Sequence, residues 1–152
     1  MPAFKLVSSA FQDHAAMDKR FSCQGGDISP PLAWVGAPTG TKSFALVMDD
    51  PDAPMGTWVH WVVYGLPASV NALAEGAAKS MPTGSRDGKN SWGKAGYGGP
   101  CPPSGTHRYF HKLYALDTLL PDLHKPDKAA LEAAMKGHVL AEAELVGTYQ
   151  KH

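Results

Sequence analysis

Clusters of glycine and proline divide this chain into short apolar segments. The 152 residues include 16 glycines and 13 prolines, and these stand in groups between runs of hydrophobic residues. Both residue types disfavour helix and strand interiors and mark turns. The pattern therefore predicts a loop-rich, mainly β protein instead of a helix bundle. The length predicts a single domain over residues 1–152.

Three segments have the composition of strands. Residues 43–48 (SFALVM) and 58–66 (WVHWVVYGL) are continuous apolar runs, typical of strands that are covered on both faces. Residues 106–116 (THRYFHKLYAL) alternate more openly, which indicates one face toward a core and one partly in water. These segments predict the central strands of a sheet.

One segment has helical character. Residues 127–143 (DKAALEAAMKGHVLAEA) predict a helix with Asp127 as its N-cap and with Leu131, Met135 and Val139 at four-residue spacing. The ending ELVGTYQ predicts a short strand that returns to the sheet.

Charge and hydropathy argue against two classes of function. Fourteen basic residues balance fourteen acidic ones, so nucleic-acid binding is not expected. No stretch approaches the roughly 20 apolar residues that span a bilayer. The N-terminus lacks a basic region followed by an apolar run, which predicts no secretion signal and a cytoplasmic location.

The two cysteines, Cys23 and Cys101, lie far apart and not in metal-ligand spacing. In a cytoplasmic protein we expect them to be reduced thiols. A disulfide is the alternative if their two loops meet.

His60 is a first candidate for chemistry. Side chains alternate faces along a strand, so His60 is predicted to lie on a mostly apolar face. The residues predicted to share that face are Trp58, Val62 and Tyr64, and those predicted to face away are Trp61 and Val63. Taken alone, His60 also fits a core histidine satisfied by one hydrogen bond.

A second strand supplies further polar groups. The same alternation places His107, Tyr109 and His111 on one face, and the first two follow a Gly/Pro-rich loop at the strand's start, where clefts often form. Arg108 is predicted to point elsewhere and to pair with an acid such as Asp52.

Three aspartates stand together in DDPDAP, residues 49–54. Asp49, Asp50 and Asp52 cannot all be buried without hydrogen-bond donors, because like charges at short distance repel. A structural interpretation of the motif is a rigid turn fixed by its prolines. A functional interpretation adds that Asp50 orients His60 or accepts a proton from a ligand.

Residues 82–105 form a long span with little strand character, and a loop of this length is usually functional or disordered. Trp92 and Tyr97 within it indicate that the loop packs down on something. Two imidazoles, a phenol and the amides of a Gly-rich loop are all donors, so together they predict a modest anion site.

These residues resemble the phosphatidylethanolamine-binding protein family, which includes Raf kinase inhibitor protein, and most closely its short bacterial branch. The segments that carry the resemblance are DISPPLAW (27–34), DDPDAP (49–54), WVHW (58–61), GYGGPCPPSG (96–105) and THRYFHKLYALD (106–117). The resemblance implies an antiparallel Greek-key β-sandwich with one or more short helices, including a C-terminal helix. It also implies a small cavity for an anion such as phosphate or a phospholipid headgroup.

The resemblance further implies which residues bind the ligand. Asp50, His60, His107 and Tyr109 would line the cavity, and the turn containing Gly99, Cys101 and Pro102 would form its rim. No cofactor or structural metal is implied.

The sequence therefore predicts a non-enzymatic binding module for a small anion or phosphorylated headgroup. One alternative is a protein-interaction module that inhibits a kinase or a serine protease and docks through residues 82–105. Less favoured are a hydrolase using Ser104, His107 and Asp50, and a divalent metal held by Asp50, His60 and His107. A homodimer is a further expectation that no apolar stripe in the sequence locates.

Overall fold

Strands dominate the computed structural model, which describes residues 3–151. The strands in chain order are β1 (Lys5–Val7), β2 (Ala15–Ala16), β3 (Leu32–Val35), β4 (Ser43–Asp50), β5 (Trp58–Pro67), β6 (Ala72–Leu73), β7 (Arg86–Asp87), β8 (Thr106–Leu116) and β9 (Val139–Gln150). Among the described residues, one α-helix, α1, covers Lys128–Met135, and two 3₁₀ turns cover Lys19–Phe21 and Ala77–Lys79. Within this part of the chain, no helix has the length and apolar character needed to cross a bilayer.

The strands form two sheets. The small sheet has the order β1-β3-β6, and the large sheet has the order β2-β9-β8-β4-β5-β7. All pairings are antiparallel except the short contact between β2 and β9. This arrangement confirms the predicted mainly β sandwich with a short helix near the C-terminus.

The large sheet is covered on both faces, as the continuous apolar runs predicted. On β4, Phe44, Leu46 and Met48 join the core between the two sheets. The alternate residues Ala45 and Val47 join a second core beneath α1. Each large apolar side chain buried in this way stabilises the fold by roughly 1.5–3 kcal/mol.

The predicted helix is confirmed at its start and wrong at its end. Asp127 is the N-cap, and its Oδ1 accepts a hydrogen bond of 2.8 Å from the Ala130 amide. The helix ends at Met135, and Gly137 follows with φ of 84°. Residues 139–143 are paired with β8 instead, because the ladder overrides their helical propensity, and the final strand is longer than predicted.

The predicted face of His60 is also wrong in part. Met48 pairs with Trp61 and Asp49 pairs with Val59, so His60 is an extra residue in a β-bulge. The bulge breaks the alternation between the two ends of β5. His60 therefore lies on the side of the sheet where Trp61 and Val63 are buried, while Val62 and Tyr64 face the core beneath α1.

The expectation of reduced thiols is contradicted. Cys23 and Cys101 form a disulfide, with their Cα atoms 5.4 Å apart. The two loops also meet at a backbone hydrogen bond of 3.0 Å, which the Cys23 amide donates to the Pro100 carbonyl. The alternative that the sequence left open is the one observed.

Candidate functional site

A pocket of about 210 Å³ opens where the end of β4 meets the starts of β5 and β8. The turn that follows β4, the long loop before β8 and the strand ends together form its wall. The lining residues are Asp50, Ala53, Pro54, Met55, Trp58, His60, Trp92, Cys101, Pro102, Pro103, His107 and Tyr109.

The pocket brings together six of the seven residues predicted for the site: Asp50, His60, Cys101, Pro102, His107 and Tyr109. The seventh, Gly99, lies outside the lining. Its amide donates a 2.8 Å hydrogen bond to Oδ1 of Asp27, so this donor is already used. A Cβ at position 99 would collide with the Phe21 carbonyl, which explains why glycine stands there.

Asp50 and His107 form a buried pair at the base of the pocket. Nδ1 of His107 donates to Oδ2 of Asp50 at 2.6 Å, and the two residues are 7% and 3% exposed. The other oxygen, Oδ1, accepts from the Asp52 amide at 2.8 Å, as aspartates in turns commonly do. Asp50 thus orients His107, and the prediction that it orients His60 is not what the structure shows.

His60 is held by the backbone of the long loop. Its Nδ1 donates to the Gly98 carbonyl at 2.7 Å, and the Gly98 amide donates back to the His60 carbonyl at 2.9 Å. Burial lowers the pKa of His60, and the hydrogen bond to Gly98 only partly offsets that effect. His60 is therefore neutral at neutral pH, with its proton on Nδ1.

The two histidines present the same atom to the pocket. Within residues 3–151, each ring forms a hydrogen bond through Nδ1 only. Neither Nε2 atom is both buried from solvent and without a partner. In the neutral rings these Nε2 atoms are acceptors, and on protonation each becomes a donor. The site can therefore change from accepting to donating as it takes up protons.

Tyr109 lies between the two histidines. Its ring centroid is 5.1 Å from that of His60 and 6.5 Å from that of His107. The hydroxyl is buried without a hydrogen-bond partner in the described part of the chain, and burial raises the pKa of the phenol. An unpartnered buried hydroxyl is costly. The residue that carries it lines the pocket, but the oxygen itself is closed to solvent in this structure.

The tryptophans of the wall were not among the predicted site residues. Trp92 packs edge-on against both His60 (5.1 Å between centroids) and Trp58 (5.5 Å). It can do so because Gly98 has no side chain, and a Cβ there would collide with the indole ring. The aromatic residues of the long loop were the available signal, and the expectation that this loop packs down is confirmed by Trp92.

Each of the three neighbouring aspartates has its own donor. Asp49 points to the opposite side of the sheet and accepts from Lys128 at 2.7 Å. Asp52 accepts a two-pronged hydrogen bond from Arg108 at 2.8 and 2.9 Å, as predicted. This arginine lowers the pKa of the Asp52 carboxyl to about 2 and is not part of the pocket lining. The charged groups of the described lining are thus the Asp50 carboxylate and each imidazole when it is protonated.

A larger cavity of about 530 Å³ lies between β1 and β9. It lacks a buried cluster of titratable side chains like that of the smaller pocket, because its charged lining residues, Lys5, Asp13 and Glu144, are exposed. Chemistry therefore favours the smaller pocket as the functional site.

The fold and pocket define a class of protein: a two-sheet β-sandwich with a small pocket that holds two histidines, an aspartate and a tyrosine at the strand ends. The family model for phosphatidylethanolamine-binding protein matches residues 7–150. The chain belongs to this family, as its motifs predicted.

Relatives cover nearly the whole chain. A UPF0098 protein of Methanothermobacter thermautotrophicus is 48% identical over 148 residues, which are 96% of this chain and 98% of that protein. The crystal structure of a phosphatidylethanolamine-binding protein homolog from Chlamydia trachomatis superimposes with a TM-score of 0.92 at 43% identity, covering 99% of both chains. YbcL of Escherichia coli, described as a member of the mammalian family, gives a TM-score of 0.93 at 34% identity and covers 99% of this chain and 100% of its own.

Proposed function

We propose that the pocket binds a small anion, either inorganic phosphate or the phosphorylated headgroup of a molecule such as phosphorylethanolamine. The observation that carries the proposal is the convergence of two histidines and a tyrosine on one small pocket, with a buried carboxylate bonded to one of the histidines. No chemical step is part of the proposal. The protein acts as a binding module.

The ionisable groups of the pocket suit a phosphate that carries a proton. Both imidazoles hold a hydrogen on Nδ1, so each Nε2 accepts a hydrogen bond from a protonated phosphate oxygen or donates one after protonation. The Asp50 carboxylate compensates the charge of a protonated His107. Because no arginine or lysine of residues 3–151 lines the pocket, the affinity is expected to be modest.

The size of the pocket limits the ligand. Its volume of about 210 Å³ is below the roughly 300 Å³ at which pockets for drug-sized molecules begin. A phosphate group with a short substituent fits this space, and the tryptophan and proline wall offers apolar contact to the substituent. A bulky substituent would have to extend through the mouth.

An NMR titration tests the proposal. Phosphate or phosphorylethanolamine at millimolar concentration should shift the ring signals of His60 and His107 in a saturable way. His107→Ala should weaken binding at least tenfold, about 1.4 kcal/mol, while His138→Ala serves as a matched control because its ring is half-exposed and bonded to Asp117. Unshifted pocket histidines at millimolar ligand would refute the proposal.

A second candidate is docking of a protein partner at the mouth of the pocket, in line with the predicted inhibition of a kinase or serine protease. Met55 is 96% exposed and Trp92 is 42% exposed, and both lie at the mouth. Because most of the Met55 side chain is exposed, Met55→Ser should weaken capture of such a partner more than it weakens phosphate binding. The hydrolase alternative would need Ser104 to bond His107, and among the described residues His107 bonds Asp50 only.

The cytoplasmic location stays a prediction, as does the homodimer. A disulfide is more typical of oxidising compartments than of the cytoplasm of most mesophiles. Alkylating the protein inside intact cells and counting blocked cysteines by mass spectrometry would distinguish the two environments.

A further inference from the structure

The disulfide forms part of the pocket wall. Cys101 lines the pocket, and its partner Cys23 lies in the loop that follows the first 3₁₀ turn. Both cysteines are exposed, so a reductant in solution can reach the bond without unfolding the protein. Exposed disulfides are typically the exchangeable ones, in contrast to those sealed in a core.

Little else holds this part of the wall. We define the rim as residues 100–105. The Cys23 amide bonds the Pro100 carbonyl at 3.0 Å, but no backbone hydrogen bond of the described turns and loops involves residues 101–105. Pro100, Pro102 and Pro103 have no amide hydrogen to donate. Among the described residues, the Cys23–Cys101 bond is therefore the main tether of the rim besides the packing of the buried Pro100 and Pro102.

The segments on either side of the rim are anchored independently. Gly98 and Gly99 are bonded to His60 and Asp27, and Thr106 begins β8 opposite Gln150. Loss of the disulfide would therefore release the rim and leave both anchors in place. The released segment carries Cys101, Pro102 and Pro103, which are one side of the pocket.

We propose that Cys23–Cys101 is a thiol–disulfide exchange site through which a dithiol controls ligand binding in the pocket. A thiolate of the dithiol attacks one cysteine sulfur, and the other sulfur leaves as a thiolate and takes up a proton. The second thiol of the reagent then displaces the first cysteine. The protein gains two electrons and two protons, and the dithiol is oxidised to a cyclic disulfide.

Reduction weakens binding because the ligand must then order the rim. Fixing even one backbone residue costs enough to lower affinity by about tenfold. The rim also brings the Cys101 backbone near the Tyr109 hydroxyl, where it opposes the effect of burial on the pKa of the phenol. A mobile rim would remove this neighbour from the phenol.

The inference rests on the proposed anion binding, and the experiment separates the two. Phosphate affinity is measured by NMR on the oxidised protein and again after treatment with dithiothreitol. The expected result is an affinity about tenfold lower after reduction, with amide signals of the rim shifted and those of β4 and α1 unchanged. If the oxidised protein fails to bind phosphate, the proposed function itself is refuted.

Equal affinity in the two states would overturn the exchange-site proposal and leave the proposed function standing. Collapse of the whole spectrum on reduction would also overturn it, because the bond would then hold the entire fold and not the rim. A double variant, Cys23→Ser with Cys101→Ser, should bind phosphate like the reduced protein and should not respond to dithiothreitol. A response of that variant to the reagent would contradict the assignment.

Discussion

Replacement of His111 by glutamine should make the free energy of unfolding depend less on pH in the acidic range. His111 is fully buried on β8, two residues beyond Tyr109 on the same face. Its Nδ1 donates to the Leu145 carbonyl at 3.1 Å, and its Nε2 has no hydrogen-bond partner in the described residues. A glutamine amide can donate to the same carbonyl without titrating.

The size of the effect follows from burial of this imidazole. Burial lowers the pKa of His111 from 6.5 to about 4. Between these pH values the unfolded chain binds more protons than the folded one, so the free energy of unfolding falls as the pH falls. The contribution of His111 is fully present above pH 6.5, and its loss reaches about 3 kcal/mol below pH 4. Most of this loss, roughly 2–3 kcal/mol, has occurred by about pH 4.5.

The assay is urea denaturation of the wild type and of His111→Gln at a series of pH values from 7.5 to about 4.5. The variant should lose less stability across this range, by roughly 2–3 kcal/mol. His138→Gln is the control, because that ring is half-exposed and its replacement removes no buried imidazole. Parallel curves for the wild type and His111→Gln would refute the reasoning.

Three further predictions concern the pocket and its supports. Burial lowers the pKa of His60, and an anion favours the protonated ring, so the affinity for sulfate should rise as the pH falls toward that pKa. Calorimetry should detect proton uptake on binding. An affinity that does not depend on pH would contradict this prediction. Arg108→Ala should lower the free energy of unfolding only slightly above pH 3.8, because the pair is exposed to water, and this effect should disappear as Asp52 is protonated near pH 2. Phosphate titration should show unchanged affinity. Gly99→Ala should cost about 1–3 kcal/mol in urea denaturation and weaken phosphate binding, because its Cβ would collide with the Phe21 carbonyl; a fully stable variant would count against that contact.

Regular alternation explains what the sequence could predict. Around Arg108, β8 keeps its two-residue period, so His107 and Tyr109 lie on the buried face and Arg108 on the exposed one. The pairing of Arg108 with Asp52 follows from the fit between the planar arginine fork and a carboxylate. These features depend on local geometry and on charge, both of which can be read from residue order.

The errors arise where distant segments decide the local structure. The bulge at His60 depends on how β5 pairs with β4, and no residue in the WVHW segment predicts it. The hydrogen-bond partners are also distant in sequence: His60 bonds to the Gly98 carbonyl, and Asp50 bonds to His107. Pairing with β8 likewise converted the end of the predicted helix into strand.

The disulfide illustrates the same limit. The two cysteines are 78 residues apart, and their spacing alone does not distinguish a bonded pair from two thiols. The bond depends on the loop after the first 3₁₀ turn meeting the loop before β8. That encounter is a property of the sandwich as a whole.

A crystal structure of the oxidised protein grown with phosphorylethanolamine tests anion binding in the pocket most directly. We expect a phosphate group between the Nε2 atoms of His60 and His107, about 3 Å from each, with the Tyr109 ring beside it. Saturating ligand that leaves this space filled by apolar side chains, or that binds only elsewhere on the protein, would contradict it.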